Sequence, residues 1–295
     1  MVNLGTILER TGGFQVVGLS HLRGFKDIRL ASCSRSSIII STMRPCPDDT
    51  FEWIRTGRDE FLPRDDSNWR SFVSNLIPKK FDAYAKILHG IQARYENIDN
   101  PLSDREIALL KIPPCARLRS FVENLRKQHL GSRIRWETLT QLMNVPFAAE
   151  ICHEWFRARM EAPDCWPRFL YGPDDGNLND DELLQVLSVL RPFTGSQDCF
   201  FRFAEIPSIG TDKPILFRGP LDELSTFLSN RKNQLTPEYW WPANHNWCLC
   251  TDYDLTFTIL GGSRELIDTI LKNANLESLE VTPRTRIDYR APIPQ

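Results

Sequence analysis

Three of the chain's eight tryptophans, Trp240, Trp241 and Trp247, stand within one short stretch near the C-terminal end. An indole needs burial for its ring and a partner for its N–H, so a cluster of them demands either a deep core or the wall of a site. The surrounding residues run Tyr239-Trp240-Trp241-Pro242, Trp247-Cys248-Leu249-Cys250-Thr251-Asp252-Tyr253-Asp254 and Gly261-Gly262-Ser263. Neighbours in an extended chain face opposite ways. One of Trp240 and Trp241 is therefore expected in the core. The other either anchors a ligand from an exposed loop or is covered by a helical region earlier in the chain.

A chain of 295 residues with 41% hydrophobic side chains can bury such a core without staples. Its 36 basic and 38 acidic residues leave a net charge of −2, which speaks against a general binder of nucleic acid. No apolar run is long enough for a membrane-spanning helix, and the first residues do not read as a signal peptide. The eight scattered cysteines then read as free thiols, and the expected location is cytoplasmic, without a membrane partner.

Three segments are expected. Residues 1–68 hold short strands (Phe14–Leu22, Phe25–Ala31, Ser36–Thr42) and a proline-rich connection from Arg44 to Asn68. Residues 69–162 read as helical. Phe81, Tyr84, Ala85 and Leu88 fall at helical spacing, Ser103–Glu106 matches a capping box, Leu118 to Leu125 gives another apolar face, and helices are expected at Trp136–Met143 and Phe147–Met160. Residues 163–295 begin with a proline- and glycine-rich loop and a leucine helix with an acidic start at Asp180. Strands at Cys199–Ile206, Ile215–Arg218, Trp247–Thr251, Leu255–Leu260 and Ser278–Val281 alternate with helices at Leu221–Leu228 and Arg264–Leu271. The expected fold is α+β, with a helix-rich N-terminal half packed on a mainly antiparallel C-terminal sheet that carries helices on one face.

The motifs Gly172-Pro173-Asp174, Phe217-Arg218-Gly219-Pro220-Leu221, Trp240-Trp241-Pro242, Asp252-Tyr253-Asp254 and Gly261-Gly262-Ser263 stand in an order that resembles an uncharacterised bacterial family. Asp82 to His89 and Arg135-Trp136 fit the same pattern. The resemblance implies one shared architecture and no activity.

Asp252 and Asp254 lie two apart, so in an extended segment their carboxylates share a side and can act as an acid–base pair or hold a cation. The plainer reading is a hairpin turn in which Asp bonds nearby N–H groups. Gly261-Gly262-Ser263 follows a strand and opens a helix. That is either an anion cradle or a tight turn with Ser263 as N-cap, and Arg218 and Arg264 are either anion partners or structural ion pairs. His245, Cys248 and Cys250 lack the spacing of a zinc cage, so no metal and no cofactor is expected. The basic stretch Arg117–Arg135 with Trp136–Ile151 admits a helix-turn-helix reading, which the near-neutral charge disfavours. The leading expectation is a binding or interaction protein without its own catalysis, in a toxin-neutralising or regulatory role. Its partner is an unidentified protein or a small anionic ligand. The alternative is an enzyme acting on a phosphorylated or otherwise anionic small molecule held by Gly261, Gly262, Ser263, Arg218 and Arg264 beside the two aspartates. Trp240, Trp241 and Trp247 would wall either site.

Overall fold

The computed structural model describes residues 42–61, 70–93, 133–160, 170–204, 215–229 and 235–293. From Ser41 onward the chain forms one compact unit. The strands expected before Thr42, the capping box at Ser103 and the helix over Leu118–Leu125 lie outside the described residues. The strands are β1 (Arg44–Cys46), β2 (Ala83–Leu88), β3 (Ile91–Ala93), β4 (Arg133–Ile134), β5 (Leu170–Tyr171), β6 (Asp198–Phe203), β7 (Ile215–Pro220), β8 (Tyr239–Pro242), β9 (Cys248–Cys250), β10 (Phe257–Gly262) and β11 (Ser278–Val281). The helices are α1 (Glu52–Gly57), α2 (Val73–Leu76), α3 (Trp136–Met143), α4 (His153–Arg157), α5 (Asp180–Thr194), α6 (Glu223–Ser229) and α7 (Arg264–Leu271).

The main sheet among the described residues has eight strands in the order β1-β7-β6-β8-β9-β10-β2-β11, all neighbours antiparallel. A smaller antiparallel sheet runs β4-β3-β5. The fold is α+β and mostly antiparallel. The three segments read from the sequence interleave: β1 joins β7, and β2 inserts between β10 and β11.

Both faces of the main sheet are covered, which corrects the expectation of helices on one face. Leu183, Val186, Leu187 and Leu190 of α5, Leu224 and Phe227 of α6, and Leu266, Ile267 and Ile270 of α7 pack on Ile87, Phe201, Trp240, Leu249 and Leu260. On the other face Ile54, Leu76, Trp136, Trp155 and Phe156 pack on Tyr84, Tyr239, Trp241, Phe257 and Ile259. Each such fully buried side chain contributes roughly 1.5–3 kcal/mol of transfer free energy.

Two-sided burial explains two misread elements. The run Ala83–Leu88 is a strand rather than a helix; every residue in it is buried, so no alternation marks it out. Tyr239–Pro242 is likewise a buried central strand rather than part of an exposed loop. The helix expected over Phe147–Met160 is confined to α4, because Phe147 to Cys152 form an irregular link. Among the described residues a helix-rich N-terminal half is not seen. Residues 42–61 and 70–93 hold three strands, two short α-helices and one 3-10 turn at Asp48–Phe51. By contrast α7 and β11 have the bounds read from the sequence.

Helix starts are secured by local and distant groups alike. Asn179 and Glu182 form a capping box on α5, and the Leu266 N–H donates to Ser263 Oγ at 3.3 Å on α7. On α3 the cap is long-range: the buried Glu277 carboxylate accepts from the Trp136 and Glu137 N–H groups, both at 2.7 Å. The loop before α5 turns through Gly176, at φ +62°, where a Cβ would stand 2.4 Å from Tyr253 Cα. Gly195 has the same φ of +62° with nothing within 4 Å. Gly176→Ala should therefore destabilise the fold beyond the ~1–3 kcal/mol of backbone strain that Gly195→Ala carries. Urea unfolding of the two variants checks this; equal losses would mean that the Gly176 contact is not tight.

Candidate functional site

The turn between β9 and β10 carries both predicted aspartates. Asp252 Oδ1 accepts from the Asp254 N–H at 3.0 Å, and the Leu255 N–H donates to the Asp252 carbonyl at 3.0 Å, an Asx turn. Beneath it runs a chain of buried hydrogen bonds. The hydroxyls of Thr251 and Thr258 meet at 2.8 Å, and Thr258 Oγ1 lies 3.0 Å from His89 Nε2. On its other side His89 Nδ1 lies 2.8 Å from the Asp174 carbonyl, which accepts, so Nδ1 holds the proton and Nε2 accepts from Thr258. The Gly176 N–H then donates to the Leu255 carbonyl at 2.8 Å and closes the ring between the two loops. A turn at the surface is thus fastened to the core by a satisfied polar network.

Against this turn lies a cavity of about 420 Å³. Its apolar walls are Leu76, Leu255, Ile287, Phe61 and Tyr289, with Cys152 between them. The polar lining is Ser71, Glu154, Asp252, Asp254 and Asp288. Asp288 is already committed: Arg286 grips it at 2.6 and 3.0 Å, and the N–H groups of Ser71 and Arg290 donate to it at 3.1 and 3.0 Å. Ser71 is 3% exposed, and its Oγ has no hydrogen-bond partner among the described residues. Burial pushes the Asp252 carboxyl above the usual carboxylate range and the Asp254 charge adds to this, while the Asp254 N–H and Arg58 oppose it. Asp175 is also raised, by burial first and then by Glu154, Asp254 and Asp174. The mouth is therefore a crowd of like charges. Asp252, partly buried beside the exposed Asp254, has the environment of an acid–base carboxyl. Among the described residues no three His, Cys, Asp or Glu side chains converge so as to hold a metal ion.

The other residues singled out from the sequence stand elsewhere. Gly261 and Gly262 end β10 inside the sheet, where a Cβ on Gly261 would meet the Phe81 ring at 2.5 Å; they serve close packing. Ser263 caps α7, about 17 Å along β10 from the aspartate turn at ~3.4 Å per residue. Arg264 pairs with Glu280 at 2.8 Å and Asp268 at 3.4 Å, and Arg218 pairs with Asp198 at 2.9 Å. These groups do not converge with the aspartates. Trp240, Trp241 and Trp247 are fully buried, so neither of the adjacent pair is an exposed anchor. Trp241 stacks on Phe200 at 5.4 Å, and on the opposite face Trp240 meets Trp247 edge-on at 6.4 Å. Cys248 and Cys250 are buried, their thiols raised well above the usual range by that burial, while His245 stacks on Trp53 at 4.3 Å. Arg133 and Arg135 donate to the carbonyls of Asn275 and Ala274, α3 and α4 turn Trp136 and Trp155 into the core, and the rest of the basic stretch, Arg117 to Lys127, lies outside the described residues.

Sequence reading missed Ser71, Glu154, Ile287 and Tyr289, which come from separate parts of the chain and share no local motif. Burial pushes the His89 imidazole down from 6.5 to about 4, against the pull of the Asp174 carbonyl. Between those values the unfolded chain binds a proton that the folded chain refuses, so this contribution rises with pH from 4 to 6.5 and is lost on acidification. Wild type should lose about 3 kcal/mol more than His89→Gln between pH 6.5 and 4, at ~1.4 kcal/mol per pH unit. Urea titrations at both pH values decide it, and parallel losses would contradict it. Compared with family models, with characterised proteins and with solved structures, the chain matches none.

Proposed function

We propose that the chain is a binding protein whose ligand sits in the cavity between the β9–β10 turn, the start of α4 and the segment Ile287–Tyr289. One observation carries this reading. A cavity of about 420 Å³ has apolar walls and a few converging polar groups, among them a buried hydroxyl without a partner. Ligand sites have this make-up, with volumes of about 300–1,000 Å³. The rim is fastened to the core by the His89–Thr258–Thr251 chain, so the site is held in shape before a ligand arrives and recognition costs little ordering.

A second reading, acid–base catalysis by Asp252, is favoured by its raised carboxyl next to Asp254. An anionic substrate fits poorly, because the cavity presents carboxylates and the arginines expected to neutralise an anion are held in ion pairs. The free thiols of Cys46, Cys152, Cys199, Cys248 and Cys250 support a reducing, cytoplasmic setting. Among the described residues no helix is long and apolar enough to cross a membrane.

Leu255→Trp fills the cavity from the rim. In a thermal-shift screen of amines, organic acids, sugars and nucleotides, compounds that stabilise wild type by about 2–3 kcal/mol at a hundredfold excess over Kd should leave Leu255→Trp unmoved. Hits that shift both proteins equally would show that the ligand binds elsewhere.

A further inference from the structure

We infer that the ligand of this cavity is an organic cation, an ammonium or guanidinium group on an apolar stem. This rests on the reading of the cavity as the binding site and adds its chemical class. Four observations converge on it.

First, Glu154, Asp252 and Asp254 line the cavity without any basic residue in its described lining. The fourth carboxylate, Asp288, is neutralised by Arg286. Arg58 stands outside the lining, donates to the Tyr239 hydroxyl at 2.7 Å and offsets part of the negative charge at Asp252. Second, neighbouring carboxylates add to the burial that raises Asp252 and, beside the cavity, Asp175, and at Asp252 the Asp254 charge outweighs the opposing charge of Arg58. A cation would relieve this like-charge repulsion, and an anion would add to it. Third, two aromatic side chains stand at the mouth, Phe61 at 45% and Tyr289 at 42% exposure. Large exposed rings attract cations to their faces. The Arg290 guanidinium beside Tyr289 bonds its hydroxyl at 2.8 Å, lies 5.2 Å from the ring centre and is itself a positive charge near the mouth. Fourth, Ser71 of the lining carries a buried hydroxyl without a hydrogen-bond partner among the described residues, an acceptor for an N–H group that reaches it. The apolar walls made by Leu76, Leu255 and Ile287 then take the stem.

The cation has two sources, a free amine or a Lys or Arg side chain presented by a polypeptide. Calorimetry on the full chain separates them and tests the class. The probes are n-hexylammonium, hexanol, hexanoate, and a short peptide with one arginine beside its citrulline counterpart. Hexylammonium is expected to bind about tenfold tighter than hexanol and to weaken as salt rises from low to high ionic strength, with hexanoate silent. Asp254→Asn and Glu154→Gln, both at exposed positions, should each loosen it about threefold to fivefold. Tighter binding of the arginine peptide, lost in the citrulline peptide, assigns the cation to a polypeptide; the reverse order assigns it to a free amine. Equal binding of hexanol and hexylammonium, abolished by Leu255→Trp, would keep the site and overturn the cationic class. Hexylammonium binding untouched by Leu255→Trp would overturn the site itself. No binding by any cation at millimolar concentration also overturns the inference.

Discussion

Covering the main sheet on both faces is the condition on which the rest of this molecule depends. Every polar group carried by the central strands must then find its partner inside. Lys86, fully buried on β2, donates to the carbonyls of Ala149 and Ile151 at 2.5 and 3.0 Å and lies 4.6 Å over the Phe257 ring. Burial lowers its ammonium to about 8. In return it fixes the irregular link before α4, where a helix was expected. Tyr239 receives from Arg58 and donates to the Leu76 carbonyl, tying β8 to the end of α2. Such groups stabilise little by themselves, but leaving any of them unpaired would cost about 1–3 kcal/mol.

That accounting also gives meaning to the exceptions. The Nε1 atoms of Trp240 and Trp241 lack partners among the described residues, yet both lie deep in packed aromatic clusters. There the gain of burying an indole outweighs one lost hydrogen bond. Ser71 differs, because its orphaned hydroxyl lines a cavity of ligand size. The same polar network that satisfies β10 and β2 also holds the aspartate turn in place. Thr258 and His89 belong to the core, while the half-buried Asp252 and the exposed Asp254 line the cavity. Function and fold meet at this turn.

What the sequence revealed followed the range of the forces involved. Helix α7 was legible because Ser263, the apolar spacing and the strands on either side are all local signals. Asp252 and Asp254 were legible as a turn with a second, chemical reading, for the same reason. Strand β2 was not, since burial on both faces erases the alternation that distinguishes a strand from a helix. For the adjacent Trp240 and Trp241 the sequence left two outcomes open, an exposed anchor or cover by the earlier helical region. The structure has the second, with Trp241 sharing a core with Trp136, Trp155 and Phe156. Beyond Asp252 and Asp254 the cavity had no signature. Ser71, Glu154, Leu255 and Tyr289 meet through long-range closure of the chain, and nothing in their neighbours announces it.

If the aspartate turn belongs to the core and the cavity is pre-formed, its amides should behave as core amides. Native-state hydrogen exchange of the Gly176 N–H, which donates to the Leu255 carbonyl, is the direct test. The account predicts protection close to that of Ile259 and Leu88 in β10 and β2, with exchange only through global unfolding. Exchange at the rate of an open loop would contradict it, and would leave the two aspartates on an ordinary surface turn.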